Sequence, residues 1–219
     1  MKWATVLAAI CAGCPSALAA EPFVDAAGVV PGLALEMRYA DSHNFVGRPI
    51  AGYEAPRCLL TPAAARALAA AQSDLAQRGY GLKVFDCYRP TRAVADFVAW
   101  AADPADERMK SEFYPRVDKR NLFRLGYIAA RSAHSRGSTV DLTLVRPGGT
   151  EVDMGTPFDW FGPESAPAWR HLSPAQRTAR DLLRAAMIRA GFRPYAQEWW
   201  HFTLAGEPYP AKAFDIPVR

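Results

Sequence analysis

Helix-opening, helix-stopping and turn residues recur so closely along this chain that no long uniform element fits into it. The 18 Pro and 15 Gly are scattered without a period, which excludes a collagen repeat or a linker array. Leu33 to Tyr39 alternates as a strand does, and Asn44 to Pro56, with Gly47, Pro49, Gly52 and Pro56, reads as loop. Thr61-Pro62 opens a helix, since Thr suits the N-cap and Pro the first turn; its Ala-rich run stops at Gly79. Leu82 to Tyr88 is a second strand, Arg89 is kept extended by Pro90, and Thr91 caps a helix ending near Asp103-Pro104. Glu107 to Arg131 carries mixed signals. Ser138 to Val145 is a strand with Val140, Leu142 and Leu144 on one face, and Arg146 to Ala168 is loop. Ser173-Pro174-Ala175-Gln176 is a capping box whose helix ends at Gly191, and Phe192 to Leu204 is the last strand region. With no internal repeat, one α+β domain is expected: a small, mostly antiparallel sheet flanked by helices.

The first twenty residues fall outside that domain. Met1-Lys2, an apolar run from Trp3 to Gly13 and the Ala17-Leu18-Ala19 site read as a secretory signal, cut after Ala19 or Ala20. The run is shorter than the ~20 residues that span a bilayer, and no later segment is apolar enough to do so. Export to the periplasm is the expectation, with residues 21–219 as the mature domain. Cys14, in a degenerate lipobox with Cys11, marks lipid anchoring as the lesser alternative. Without the signal, Cys58 and Cys87 remain, and two cysteines in an oxidising compartment are expected to pair. Half of the residues are apolar, which excludes a disordered chain. The net charge of +4, without a basic run, excludes a nucleic-acid partner.

Two of the four histidines sit where chemistry is expected. His134, in Ser132-Ala133-His134-Ser135-Arg136-Gly137-Ser138-Thr139-Val140-Asp141, lies on a turn that feeds the strand carrying Asp141, so both side chains can reach one point. In Glu198-Trp199-Trp200-His201 an acid and an imidazole lie three residues apart between bulky aromatics. His134, Asp141 and His201 make a zinc ligand set with the fourth position open for water, and Glu198 is the candidate general base for that water. Burial beside Trp raises a carboxyl pKa toward the working range. Arg89, in Asp86-Cys87-Tyr88-Arg89-Pro90, stands where strand gives way to helix and is the candidate oxyanion partner. His43 and His171 read as loop and surface residues. A three-histidine set drawing on either in place of Asp141 is the alternative.

H-x-x-G-x-x-x-D, Y-R-P and E-x-x-H in this order resemble the zinc D,D-peptidases of peptidoglycan-type substrates, and within them the D-alanyl-D-alanine dipeptidases known from vancomycin resistance. The stretches RYADSHNFVGRPIAGYE, VFDCYRPTRAV, SAHSRGSTVDLTL, DMGTPFDWF, EWWHFTL and EPYPAKAFDIPVR carry the resemblance from about Leu33 to Arg219. It implies an α+β fold, one catalytic zinc per chain on His134, Asp141 and His201, Glu198 as base and Arg89 as oxyanion partner. It also implies Tyr39, Ser132 and Asp159 as residues that hold the free ammonium of a small dipeptide substrate. A carboxylate at Asp159 suits that pairing; Tyr39 and Ser132 add neutral hydrogen bonds. Thr139 stands where the family commonly has Ala, and Cys87 where a small residue is expected. The activity so implied is hydrolysis of D-Ala-D-Ala in wall turnover or salvage. The alternatives are a D,D-carboxypeptidase or endopeptidase on longer wall peptides, and a non-catalytic wall-binding protein. The second requires loss of Glu198 or a ligand, and none is lost.

Overall fold

The structure is a computed structural model that describes residues 21–219; the expected signal, with Cys11 and Cys14, lies outside the described residues. Seven strands and five α-helices are found among them. Strands β1 (Val24–Asp25) and β3 (Leu59–Leu60) make a small antiparallel pair. The main sheet is built from β2 (Ala34–Leu35), β4 (Gly81–Asp86), β5 (Thr139–Val145), β6 (Phe192–Pro194) and β7 (His201–Leu204), in the order β2-β4-β5-β7-β6. Only β2–β4 is parallel; the other three pairings are antiparallel, as expected. Helices α1 (Pro62–Ala76) and α5 (Pro174–Arg189) pack on each other and on the sheet.

The local signals for the long helices hold. The Thr61 hydroxyl accepts from the Ala64 amide, and Ser173 with Gln176 forms the reciprocal capping box. Helix α2 (Thr91–Ala102) departs from expectation, because Thr91 is its first residue and caps nothing. The C-terminal tail does so instead. The Phe214 carbonyl accepts from the Thr91 amide at 3.0 Å, and Asp215 Oδ1 from the Arg92 amide at 2.8 Å.

One strand expectation is corrected and another is resolved into two strands. The alternation from Leu33 to Tyr39 gives strand only at Ala34–Leu35; Arg38–Ala40 is a 3-10 turn that turns Tyr39 into the core. There its ring meets Phe45, Tyr53 and Phe97, burial that an edge strand would not provide. The region from Phe192 to Leu204 is a hairpin of β6 and β7, with Glu198 in the connection. The mixed stretch from Glu107 to Arg131 contains two helices of one turn each, α3 (Lys110–Phe113) and α4 (Leu122–Leu125). The buried Lys119 ties this stretch down by donating to the Asp103 and Asp106 carbonyls at 2.6 and 2.7 Å.

Cys58 and Cys87 are bonded, with Cα atoms 5.2 Å apart. The bond closes a loop with a sequence separation of 29 residues, so the chain-entropy account assigns it roughly 3–4 kcal/mol. Reducing it, or combining Cys58→Ser with Cys87→Ser, is expected to lower the urea midpoint accordingly. An unshifted midpoint contradicts that expectation.

Candidate metal centre

Strand pairing brings the acidic and imidazole groups together. Asp86 on β4 is in register with Asp141 on β5, and Asp141 with His201 on β7, so one row across three neighbouring strands carries all three. Asp141 lies on the face opposite Val140 and Leu142 by strand alternation, and that face is buried too. His134 comes from the 3-10 turn Ala133–Arg136 just before β5. The turn opens with the Ser132 hydroxyl accepting from the His134 amide at 3.2 Å and closes on Gly137, at φ +79°. A side chain at Gly137 would strike the Phe23 ring, which explains a glycine there.

His134 Nε2 lies 3.2 Å from Asp141 Oδ2 and 3.3 Å from His201 Nδ1; His201 Nδ1 lies 3.1 Å from Asp141 Oδ1. The three ligand atoms fall within 4.8 Å of one another. His134 Nδ1 faces the Cys87 carbonyl at 2.6 Å. A carbonyl only accepts, so Nδ1 carries the proton and Nε2 presents its lone pair to the cluster. Asp141 Oδ1 is buried and has no hydrogen-bond partner among the described residues. The Asp141 carboxylate faces two imidazoles, His201 across Oδ1 and His134 across Oδ2, which fits a cation between them, and the donor set of two nitrogens and one carboxylate is the kind that zinc takes. Burial works against the Asp141 charge, but His134 and His201 hold its carboxyl well below the usual range. The three-histidine alternative is not formed. His43 Nε2 meets Glu112 at 2.5 Å in an exposed pair, and His171 packs on the Trp169 ring.

Glu198 Oε2 stands 3.5 Å from His201 Nδ1, beside the cluster. Burial pushes its carboxyl up to about 7, and the Asp141 charge adds to the shift. Arg89 reaches the same cavity from the end of β4. Its Nε and Nη2 both donate to Asp86 Oδ2, at 3.0 and 2.8 Å, and Nη2 lies 3.7 Å from Asp141 Oδ2. The guanidinium sits over the Tyr39 and Phe97 rings, about 5 Å from each centroid.

Asp86 carries no assignment from the sequence, yet it is wholly buried and organises this corner. It accepts from the Tyr53 hydroxyl at 2.6 Å while fixing Arg89, and its Oδ2 stands 3.3 Å from His134 Nδ1. An acid three residues before the arginine at a strand end was the available signal.

The remaining expected residues line the same cavity of about 360 Å³. The Tyr39 hydroxyl donates to Asp159 Oδ2 at 2.8 Å, both residues being buried. Asp159 adopts φ +60°, the one non-glycine residue with a positive φ among those described. Burial pushes its carboxyl well above the carboxylate range, and Asp141 adds to this. The Arg89 charge opposes that shift, and no cation lies within ion-pair distance of Asp159 among the described residues. Ser132 lines the wall beside His134. The two departures noted in the sequence are accommodated, since Cys87 is cross-linked to Cys58 and the Thr139 hydroxyl meets that of Thr203 at 2.9 Å.

A family model described as D-ala-D-ala dipeptidase, of the M15 peptidases, matches residues 19–219. The chain is 42% identical over 192 residues to a D-alanyl-D-alanine dipeptidase of Enterococcus faecium, covering 87% of this chain and 95% of that protein. It is 43% identical over 197 residues to one from Streptomyces coelicolor, covering 90% and 96%. To the Escherichia coli protein of the same description it is 36% identical over 181 residues, covering 83% of each.

Proposed function

The chain belongs to the D-ala-D-ala dipeptidase family of the M15 peptidases, and from that premise we propose that it hydrolyses D-Ala-D-Ala to two D-Ala after export to the periplasm. The observation that carries this reading is the buried Tyr39–Asp159 pair in the cavity of the His134–Asp141–His201 cluster. A buried carboxyl with no ion-pair partner among the described residues suits a free ammonium, which would restore its charge and which a dipeptide has and an internal peptide lacks. The cavity volume, near the lower end of the ~300–1,000 Å³ range of ligand pockets, also favours a small substrate over longer wall peptides.

His134, Asp141 and His201 would hold one zinc ion, which when bound would supply a Lewis acid for the scissile carbonyl and make water more acidic. Glu198 takes a proton from the attacking water and delivers it to the leaving amine as the C–N bond breaks. Arg89, held by Asp86, faces the developing oxyanion. Asp159 pairs with the substrate ammonium, while Tyr39 and Ser132 complete its hydrogen bonds. Replacing Arg89 with Ala is expected to lower turnover on the order of 10²–10³-fold, the scale of one lost oxyanion donor. A raised KM with unchanged kcat would make Arg89 a ground-state binding residue instead.

Residues 1–20 serve as the export signal and residues 21–219 as the enzyme. The Cys58–Cys87 bond suits an oxidising compartment, and no helix of the described residues is long and apolar enough to cross a membrane. An exported enzyme meets dipeptide from wall turnover or the surroundings, so recycling or salvage is its role. The test is a hydrolysis assay of D-Ala-D-Ala, N-acetyl-D-Ala-D-Ala and L-Ala-L-Ala, with and without chelator. Hydrolysis confined to the free D,D-dipeptide and abolished by chelator is expected. Equal rates on the N-acetylated form would replace this reading with a D,D-carboxypeptidase.

A further inference from the structure

The loop that carries Asp159 is fastened at both ends by one buried side chain on a different element. Arg180 of α5 is 5% exposed. Its Nε donates to the Met154 carbonyl at 2.6 Å, Nη2 to that of Glu164 at 2.9 Å and Nη1 to that of Ala166 at 3.1 Å. Met154 begins the loop and Glu164 and Ala166 end it, so one guanidinium closes the segment on both sides of Asp159. No carboxylate lies within ion-pair distance of Arg180 among the described residues, so these charge-assisted bonds to carbonyls are its partners. Trp199, next to Glu198, joins the same assembly. Its indole donates to Thr156 Oγ1 at 2.8 Å, its amide donates to the Ser165 carbonyl at 2.9 Å, and its ring lies 5.7 Å from the guanidinium.

Asp159 needs such a frame. Its left-handed backbone is costly for a side-chain-bearing residue and persists only where the surroundings over-determine it. We infer that Arg180 is a positioning residue for substrate recognition: by clamping both ends of the 154–166 loop it sets the Asp159 carboxylate where a dipeptide ammonium docks. The inference rests on the ammonium-pairing role of Asp159. A planar fork with several fixed donors can meet three diverging carbonyls, whereas a lysine ammonium on a flexible stem cannot hold all three in place.

The test compares Arg180→Lys, Asp159→Ala and the double variant with wild type. The readouts are kcat and KM for D-Ala-D-Ala, Ki for propionyl-D-Ala (the same skeleton without the ammonium), and bound zinc. Arg180→Lys should lower kcat/KM for D-Ala-D-Ala by about 10–100-fold, mainly through KM, the scale of a lost charge-assisted contact. The Ki for propionyl-D-Ala and the zinc content should stay near wild type, and Arg180→Lys should add little in the Asp159→Ala background. Should the lysine variant not fold, Arg180→Gln, which removes the buried charge along with the fork, should give the same pattern. Equal losses on both ligands, full additivity with Asp159→Ala, or failure of both variants to fold would overturn the inference and leave Arg180 a folding residue. The ammonium reading fails separately, whatever Arg180 does, if wild type binds D-Ala-D-Ala no better than propionyl-D-Ala.

Discussion

Glu198→Gln should retain zinc at the wild-type level while turnover of D-Ala-D-Ala falls by at least the ~10²–10⁴-fold typical of a positioned general base. The side chain stands beside His201 rather than among the converging ligand atoms, so the amide leaves the metal set intact. Burial holds the carboxyl near the working range, where one group can both accept the proton of water and return it to the amine. Glutamine keeps the shape and removes the proton affinity. Metal content and single-turnover rates on the same preparation check this, and a near-normal rate would remove Glu198 from the role.

His201→Ala is expected to lose zinc and activity together, with the fall in turnover at least about 10³-fold, since the Lewis acid contributes several kcal/mol to the transition state. The His201 side chain is 16% exposed, against 1% for His134 and 3% for Asp141, so its truncation disturbs the core least among the three. Retention of both metal and turnover in this variant would place the ligand elsewhere. A thermal melt near that of zinc-depleted wild type would separate loss of metal from loss of fold.

Much of this arrangement was legible in the sequence because short-range chemistry fixes it. The caps at Thr61 and Ser173 specify where α1 and α5 begin, and both hold in the structure. His134 and Asp141 are linked by a turn and a strand, and their convergence needs only that β5 be a strand. Bringing His201 to them needs the Asp141–His201 register, which the acid and imidazole on either side of two tryptophans foreshadowed but did not establish. What stayed hidden depends on long-range partners. Tyr39 leaves the strand pattern because a distant aromatic cluster and Asp159 receive it. Thr91 yields the cap to Phe214 and Asp215, more than 120 residues away. Asp86 and Arg180 look like ordinary surface-capable charges until the fold buries them against Arg89 and against three loop carbonyls.

Hydrolysis of D-Ala-D-Ala is proposed to require one metal, held by His134, Asp141 and His201. Bound zinc and D-Ala release, measured on one sample before chelation, after chelation and after zinc is returned, test this requirement. About one zinc per chain, loss of D-Ala release with the metal, and recovery of both at one equivalent are expected. Full D-Ala release from zinc-free protein would contradict the requirement.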